Sequence, residues 1–319
     1  MDETLDCLII GGGPAGLTAA IYLARFHLDI LVVDAGKSRA SWIPCTRNHA
    51  GFPEGISGSD LLHRMRTQAQ KYGAKIVQDR VTKLERDEQS GLLTATWGSG
   101  CVQARSVLLA TGVTNRRPTM DQDLHDDALA RGLIRYCPIC DGYEVTDKKI
   151  GVIGSDSHGV AEAIFLRGFT ADVTLIAPHS ALRLNDEDRS KLEKAGIKSV
   201  DGPAEGVAID QEWIVIDTAE GHHTFDSVYP ALGSDTHTQL AAMIGAKLSD
   251  EGCVLVDSNQ RTNIPGFYAA GDVVLGLDQI SHAMGEGGVA ATTIRNDLAK
   301  QNPLLREPTR ELEEAGNGS

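Results

Sequence analysis

Two cysteines three positions apart are the residues best suited to chemistry in this chain. Cys137 and Cys140 lie in the segment YCPICDGYE, where the spacing predicts a position at the start of a helix. A helix N-terminus stabilises a thiolate, so the pair favours a reversible disulfide. A zinc site would need a second pair of ligands at similar spacing, and the other cysteines are scattered (Cys7, Cys45, Cys101 and Cys253). A further alternative is that the two cysteines are simply small buried core residues. The neighbouring residues are typical of a loop, which disfavours this alternative.

A glycine-rich turn near the N-terminus predicts a dinucleotide site. Gly11, Gly13 and Gly16 form G-x-G-x-x-G between an apolar strand and a helix of small residues. These glycines permit a tight turn, close approach of a pyrophosphate and close helix packing, and the helix N-terminus favours anionic phosphates. Asp34 ends the next apolar strand, where a carboxylate can bind ribose hydroxyls.

A second strand–turn–helix–strand segment repeats this order and predicts two domains of similar architecture. Gly154 and Gly159 hold the outer glycine positions, but Asp156 replaces the middle glycine. A carboxylate about 4 Å from a phosphate charge costs roughly 4 kcal/mol at an effective dielectric near 20, or about three decades of affinity. Arg183 is the one fixed cation shortly after the next strand. We expect poor NADPH binding; the alternatives are a turn that still binds NADH and a site for another small ligand.

The motifs GGGPAGL, LLATG and FYAAGDV together resemble the two-domain flavoprotein disulfide reductases, over nearly the whole chain. The resemblance implies FAD as the first nucleotide and a discontinuous FAD domain. The expected fold class is α/β, with two Rossmann-like, three-layer ββα nucleotide-binding domains. We predict an FAD-binding domain over 1–115 and 245–319, ending in a charged tail. An inserted NAD(P)-binding-like domain over 116–244 would carry the C-x-x-C pair.

The resemblance also implies which residues contact FAD. They lie in the glycine turns, in the loop of residues 38–58, which we term the wrapping loop, and at the start of the last helix. They are Gly11, Gly13, Pro14, Ala15, Gly16, Asp34, Asn48, Ala110, Thr111, Gly112, Gly271, Asp272, Gln279, Ile280 and Ser281.

C-x-x-C followed by Asp-Gly resembles, more narrowly, the low-molecular-weight thioredoxin reductases. The resemblance implies that Cys140 contacts the flavin, that Cys137 attacks the partner disulfide and that Asp141 is the acid/base. A helix-capping aspartate is the alternative for Asp141. The altered second turn, and Asp278 where the family has the arginine of an Arg-Gln pair, resemble the subgroup without NADPH motifs, which is ferredoxin-linked or deeply branching.

We therefore expect electrons to pass from reduced flavin through the cysteines to a protein disulfide such as that of thioredoxin. Ferredoxin is the expected kind of donor, and the family implies a homodimer. Two alternatives use the same residues: a dithiol oxidase that runs the couple in reverse with oxygen, and a flavin redox sensor without turnover.

The net charge and the distribution of apolar residues indicate which kinds of partner and which cellular location to expect. The formal net charge of −14 disfavours nucleic acid and anionic membranes. No apolar run is long enough to span a bilayer. The acidic N-terminus, MDETLDCLIIGGG, passes directly into a strand rather than reading as a signal peptide, so we expect a cytoplasmic protein.

Overall fold

The fold is known from a computed structural model, which describes residues 4–98 and 100–305. The predicted charged tail lies largely outside the described residues, since 306–319 are not among them. The strands are β1 (Leu5–Ile10), β2 (Ile30–Asp34), β3 (Lys75–Gln78), β4 (Val81–Arg86), β5 (Leu93–Trp97), β6 (Gly100–Leu109), β7 (Val113–Asn115), β8 (Ile150–Ile153), β9 (Val173–Ile176), β10 (Lys198–Val200), β11 (Glu205–Asp210), β12 (Trp213–Thr218), β13 (Gly221–Phe225), β14 (Ser227–Pro230), β15 (Ser234–Thr236) and β16 (Phe267–Ala269). The α-helices are α1 (Pro14–Arg25), α2 (Gly58–Lys71), α3 (Gln122–Ala130), α4 (Pro138–Asp141), α5 (Ser157–Leu166), α6 (Asp186–Ala195), α7 (Gln239–Met243) and α8 (Ile280–Gln301).

The first sheet has a parallel core in the order β3-β2-β1-β6, and β16 pairs with β6 in parallel. β4 and β5 continue it as an antiparallel meander. Leu8 and Ile9 in β1 are fully buried, one on each face of the sheet. Helices α1 and α8 pack so closely that a Cβ added to Gly287 would lie 2.3 Å from the Ala15 carbonyl oxygen. Only glycine at that position allows this close approach.

The second sheet repeats the plan with the parallel order β10-β9-β8-β14, and the antiparallel sheet β11-β12-β13 accompanies it. Buried residues of β8 and β9 pack against α5 and α6 on one side. A short antiparallel pair, β7 with β15, joins the segments that follow the two sheets. The predicted α/β class with two Rossmann-like units is confirmed. The boundaries 1–115, 116–244 and 245–319 stay predictions.

Several helix starts follow from local sequence. Ser57 caps α2 by accepting a hydrogen bond from the Asp60 amide, as the serine in this segment predicts. The last helix extends over Ile280–Gln301, and its N-terminal end faces the carboxyl ends of β1, β6 and β16. Within the described residues, none of the helices combines the length and apolar character that crossing a bilayer requires.

Candidate active site

A cleft of about 960 Å³ opens at the carboxyl ends of β1, β6 and β16, where ligands bind in open α/β sheets. Most of the residues predicted to contact FAD line it: Gly11, Gly13, Pro14, Ala15, Asp34, Asn48, Ala110, Thr111, Gly112, Gly271, Asp272, Gln279 and Ile280. Gly16 and Ser281 do not. Gly16 instead packs α1 against the turn, since its Cβ would lie 2.0 Å from the Gly11 carbonyl oxygen. Ser281 Oγ contacts His49 Nδ1 at 3.1 Å.

The first glycine turn leaves a helix end open toward this cleft. Gly11 has φ +114°, and a Cβ there would lie 2.2 Å from the Ala110 carbonyl oxygen. Gly13 precedes α1, and no side chain caps that helix. The unpaired amides of its first turn are therefore available to an anionic phosphate. This turn fits the pyrophosphate of a dinucleotide.

The cleft also contains a buried carboxylate next to the first glycine turn. Asp34, at the end of β2, forms an ion pair with Arg66 of α2 and accepts a hydrogen bond from the Gly36 amide at 3.0 Å. Its side chain lies against Gly12, where an added Cβ would be 2.2 Å from Asp34 Oδ2. The carboxylate is thus held beside the turn, where it can bind a ribose hydroxyl.

The second feature of the cleft is the cysteine pair. Cys137 and Cys140 form a disulfide, and both line the same cleft as the first glycine turn. Cys137 is the N-cap residue of α4, and its Sγ accepts from the Cys140 amide at 3.1 Å. The predicted position at a helix start is confirmed, although the helix is only four residues long. A disulfide is a two-electron acceptor, and this one lines the cleft onto which the first glycine turn opens.

The carboxamide of Gln279 lies directly against this disulfide. Its Nε2 is 3.2 Å from Cys137 Sγ and 3.3 Å from Cys140 Sγ. Its Oε1 accepts a hydrogen bond from Asn48 Nδ2 at 3.1 Å. The wrapping loop and the start of α8 thus meet at the sulfurs.

Asp141 follows the cysteines and is held by two donors. Arg135 Nη1 contacts Asp141 Oδ2 at 2.9 Å, and the hydroxyl of Tyr229 donates to Asp141 Oδ1 at 2.8 Å. Burial raises the pKa of Asp141, while Arg135 and Tyr229 act to lower that pKa. The side chain caps no helix, which removes the alternative considered from the sequence. A carboxyl group with a raised pKa beside a disulfide is suited to acid/base work.

The turn after β16 is organised by charges from two distant segments. Arg39 of the wrapping loop contacts Asp272 at 2.9 Å and Asp278 at 3.1 Å. Burial raises the pKa of both carboxyls, and Arg39 opposes that rise. Glu286 of α8 accepts from the Gly271 amide at 2.7 Å. Asp278 therefore has a cation partner within the chain, in the region where the sequence suggested a lost arginine.

The second glycine turn differs from the first in how its helix begins. Asp156 caps α5: its Oδ1 accepts from the His158 amide at 3.1 Å and from the Gly159 amide at 3.3 Å. Gly154 and Gly159 keep the close packing of strand and helix, with a Cβ on Gly154 lying 2.9 Å from Gly159 Cα. The carboxylate of this chain thus takes the hydrogen bonds that a bound phosphate would use.

Comparison with known proteins assigns the family. The profile described as pyridine nucleotide-disulphide oxidoreductase matches residues 5–287. The chain belongs to this family. Thioredoxin reductase from Mycolicibacterium smegmatis is 31% identical over 313 residues, which cover 93% of this chain and 97% of that protein. Thioredoxin reductase from Listeria innocua serovar 6a is 30% identical over 301 residues, 91% of this chain and 92% of that one.

A solved structure agrees with these relatives. Thioredoxin reductase from Streptococcus pyogenes MGAS5005 superposes with a TM-score of 0.85 at 26% identity, and the match covers 94% of this chain and all of the other. This member of the pyridine nucleotide-disulphide oxidoreductase family is a flavoprotein disulfide oxidoreductase of the thioredoxin reductase type.

Three residues of the candidate site in this chain were missed in the sequence analysis. Arg39, Arg135 and Tyr229 each contact a carboxylate that the sequence had singled out. Arg135 precedes Cys137 by two positions, so its closeness to the pair was the one available signal. Arg39 and Tyr229 are remote in sequence from their partners, and only the fold brings them there.

The hydrogen bond from Tyr229 to Asp141 predicts a measurable change in acidity. In Tyr229→Phe the ionised carboxylate loses a donor, so the pKa of Asp141 should rise further above its usual range. The infrared carbonyl band of the protonated carboxyl, recorded against pH, gives the midpoint, and Asp141→Asn identifies the band by its loss. A midpoint that is unchanged or lower in Tyr229→Phe would show that the Tyr229 hydroxyl does not lower the pKa of Asp141.

Proposed function

We propose that this chain is an FAD-dependent thiol–disulfide oxidoreductase that passes electrons through Cys137 and Cys140 to a protein disulfide such as that of thioredoxin. The observation that carries the proposal is that the disulfide and the uncapped N-terminus of α1 line one cleft. When bound, FAD supplies a two-electron carrier between donor and disulfide. The amides after Gly13 and the carboxylate of Asp34 would hold its pyrophosphate and ribose.

The chain's own residues account for the thiol–disulfide steps. The resemblance assigns Cys140 to the flavin side and Cys137 to attack on the partner disulfide. Attack by Cys137 as a thiolate gives a mixed disulfide, and Cys140 then displaces the partner thiol. Asp141 follows Cys140 in the chain, and the resemblance assigns it the protonation of the departing thiolate; burial raises its pKa, which is the direction that this role requires.

Asp156 supports a donor other than NADPH. Its carboxylate caps α5, so a phosphate at that turn would meet a negative charge and lose the amides that Asp156 uses. This supports our proposal that the protein belongs to the subgroup without NADPH motifs and takes its electrons from a protein such as ferredoxin.

The domain arrangement, oligomeric state and location belong to the same proposal. The first sheet uses strands from Leu5–Ile10 to Gly100–Leu109 and Phe267–Ala269, which supports an FAD domain over 1–115 and 245–319. The second sheet lies between these segments in sequence, which supports an inserted domain over 116–244. A homodimer and a cytoplasmic location remain predictions from the resemblance and the sequence.

Removal of the second-turn carboxylate should restore nucleotide binding. Asp156→Gly is expected to tighten NADH binding by about 10- to 1,000-fold, measured by calorimetry, because a repulsive charge and a competing cap are both lost. Asp121→Gly is the matched control, since Asp121 caps α3 in the same manner, accepting from the Asp123 and Leu124 amides. Both variants should lose only a few tenths of a kcal/mol in stability. Micromolar NADPH binding by the unaltered protein would refute the proposed donor.

The reciprocal substitution should remove FAD. Gly13 and Asp156 share extended backbone conformations, with φ −81° and ψ −174° against φ −135° and ψ −174°. Gly13→Asp should therefore cap α1 and weaken FAD binding by about 100-fold or more, through the same repulsion. Gly13→Asn adds similar bulk without charge and should retain more flavin, measured by absorbance after gel filtration. FAD retention in Gly13→Asp equal to the unaltered protein would contradict the assignment of this turn.

A second candidate, the oxygen-dependent dithiol oxidase, is favoured by the apolar rim of the cleft. Ile139, Leu277 and Met243 all line the cleft, with 51%, 50% and 55% of their surfaces exposed. Exposed apolar groups in the cleft that contains the disulfide suit a small apolar dithiol better than a solvated peptide. Such a dithiol would be oxidised to a disulfide, with its electrons reducing oxygen to hydrogen peroxide.

The two candidates differ in a direct assay. An oxidase should release hydrogen peroxide with dithiothreitol in air, and Ile139→Ser should lower kcat/KM for a small apolar dithiol about 10-fold. Reduction of thioredoxin without significant peroxide favours the reductase. Release of hydrogen peroxide with no reduction of thioredoxin would favour the oxidase over the reductase.

A further inference from the structure

We propose that the carboxamide of Gln279 is a catalytic group whose N–H donors stabilise the negative charge that appears on sulfur when the Cys137–Cys140 disulfide is cleaved. This inference rests on the proposed thiol–disulfide activity and gives Gln279 a role beyond the FAD contact expected from the sequence. Its basis is the position of Nε2, within 3.3 Å of both sulfurs.

The carboxamide is oriented by a chain of hydrogen bonds from the wrapping loop. Thr46, whose side chain is buried, donates through Oγ1 to Asn48 Oδ1 at 2.9 Å. Asn48 Nδ2 in turn donates to Gln279 Oε1 at 3.1 Å. The carbonyl oxygen of Gln279 accepts from Asn48 and lies 3.7 Å from Cys140 Sγ, so the amino group is the part of the carboxamide nearest to both sulfurs. A primary amide has two N–H groups, so one can be directed at each sulfur.

Charge on sulfur changes during the reaction, and a fixed donor responds to that change. Cleavage takes up two electrons and one proton: the S–S bond breaks, one sulfur becomes a thiol and the other a thiolate. The electrons come from reduced flavin or, in a test, from a dithiol that is itself oxidised to a disulfide. Donors bind a thiolate more strongly than a neutral disulfide sulfur. The Gln279 amide therefore favours the reduced form and the transition state over the disulfide.

The charged groups next to this centre are paired with one another. Asp141 follows Cys140 and is held by Arg135, whereas Asp278 precedes Gln279 and is held by Arg39. Each of these carboxylates is matched by a guanidinium group, so neither guanidinium is left to stabilise a thiolate alone. Among the described residues, the donors to these two sulfurs are the Cys140 amide, which donates to Cys137 Sγ, and the carboxamide of Gln279.

The experiment measures thiol reactivity in the reduced, purified protein. Gln279→Met keeps the length of the side chain without a donor, and Gln279→Glu keeps its shape but presents oxygen to sulfur. Iodoacetamide alkylation is followed by peptide mass spectrometry across a pH series. Alkylation of Cys137 and Cys140 at neutral pH should be about 10-fold slower in Gln279→Met, and slower still in Gln279→Glu, because fewer thiols are ionised. Cys101, which is free and exposed, is the internal control and should not change.

Asn48 is a positioning residue in this scheme, and its test separates orientation from charge. In Asn48→Asp the Gln279 amino group should turn toward the new carboxylate and leave its oxygen facing the sulfurs. Alkylation of Cys137 and Cys140 should then be slower than in the unaltered protein, as it is in Gln279→Glu. In a Gln279→Met background, Asn48→Asp should have little further effect. An equal effect in both backgrounds would mean that the aspartate acts on sulfur directly, and would overturn the positioning role.

The same variants distinguish this inference from the proposed function. If the Gln279 variants alkylate with the same pH profile as the unaltered protein, the inference fails even where flavin and thioredoxin exchange electrons normally. If the thiol pKa shifts as expected but thioredoxin is not reduced, the carboxamide role stands and the proposed acceptor fails. Reduction of the disulfide by dithiothreitol gives an independent reading, and it should be about 10-fold slower in Gln279→Met.

Discussion

The state of two helix N-termini determines what this molecule can bind. In a parallel sheet the helix that follows the first strand directs its unpaired amides at the carboxyl edge, where they attract an anion. The N-terminus of α1 is uncapped and opens on the cleft, whereas that of α5 is capped by Asp156. One chain thus contains the same turn twice, once free for a phosphate and once closed by its own carboxylate. The proposed single dinucleotide and the proposed electron donor both rest on this difference.

The surroundings of the disulfide are built from segments that are far apart in sequence. The wrapping loop contributes Asn48 and Arg39, the start of α8 contributes Gln279, and α4 contributes the disulfide. Arg39 offsets the repulsion between Asp272 and Asp278, two carboxylates whose pKa values are raised by burial. Without that cation the turn after β16 and the start of α8 would repel each other in a poorly solvated site. Charge pairing by Arg39 therefore joins the wrapping loop to the turn after β16 and to the residue before Gln279.

Much of this arrangement could be predicted from the sequence. The G-x-G-x-x-G turn, its repeat and the C-x-x-C pair are local patterns, so they gave the α/β class, the first nucleotide turn and the redox pair. Tyr229 and Arg39 could not be found this way, since their partners lie in other segments and neither belongs to a motif. Asp156 was recognised as unfavourable to phosphate, but its cap was not foreseen. The cap strengthens the argument against a phosphate at this turn. To make room for a phosphate, the Asp156 side chain would have to rotate away and lose two hydrogen bonds.

The central claim is that electrons pass between a flavin in the cleft and the Cys137–Cys140 disulfide. Anaerobic titration of the purified protein with dithionite tests it most directly, with free thiols counted by alkylation at each point. The account predicts uptake of two electrons by the flavin and two by the disulfide, with thiols appearing at positions 137 and 140 as the flavin is reduced. A protein that takes up electrons only at the flavin, with the disulfide intact at the end of the titration, would contradict it.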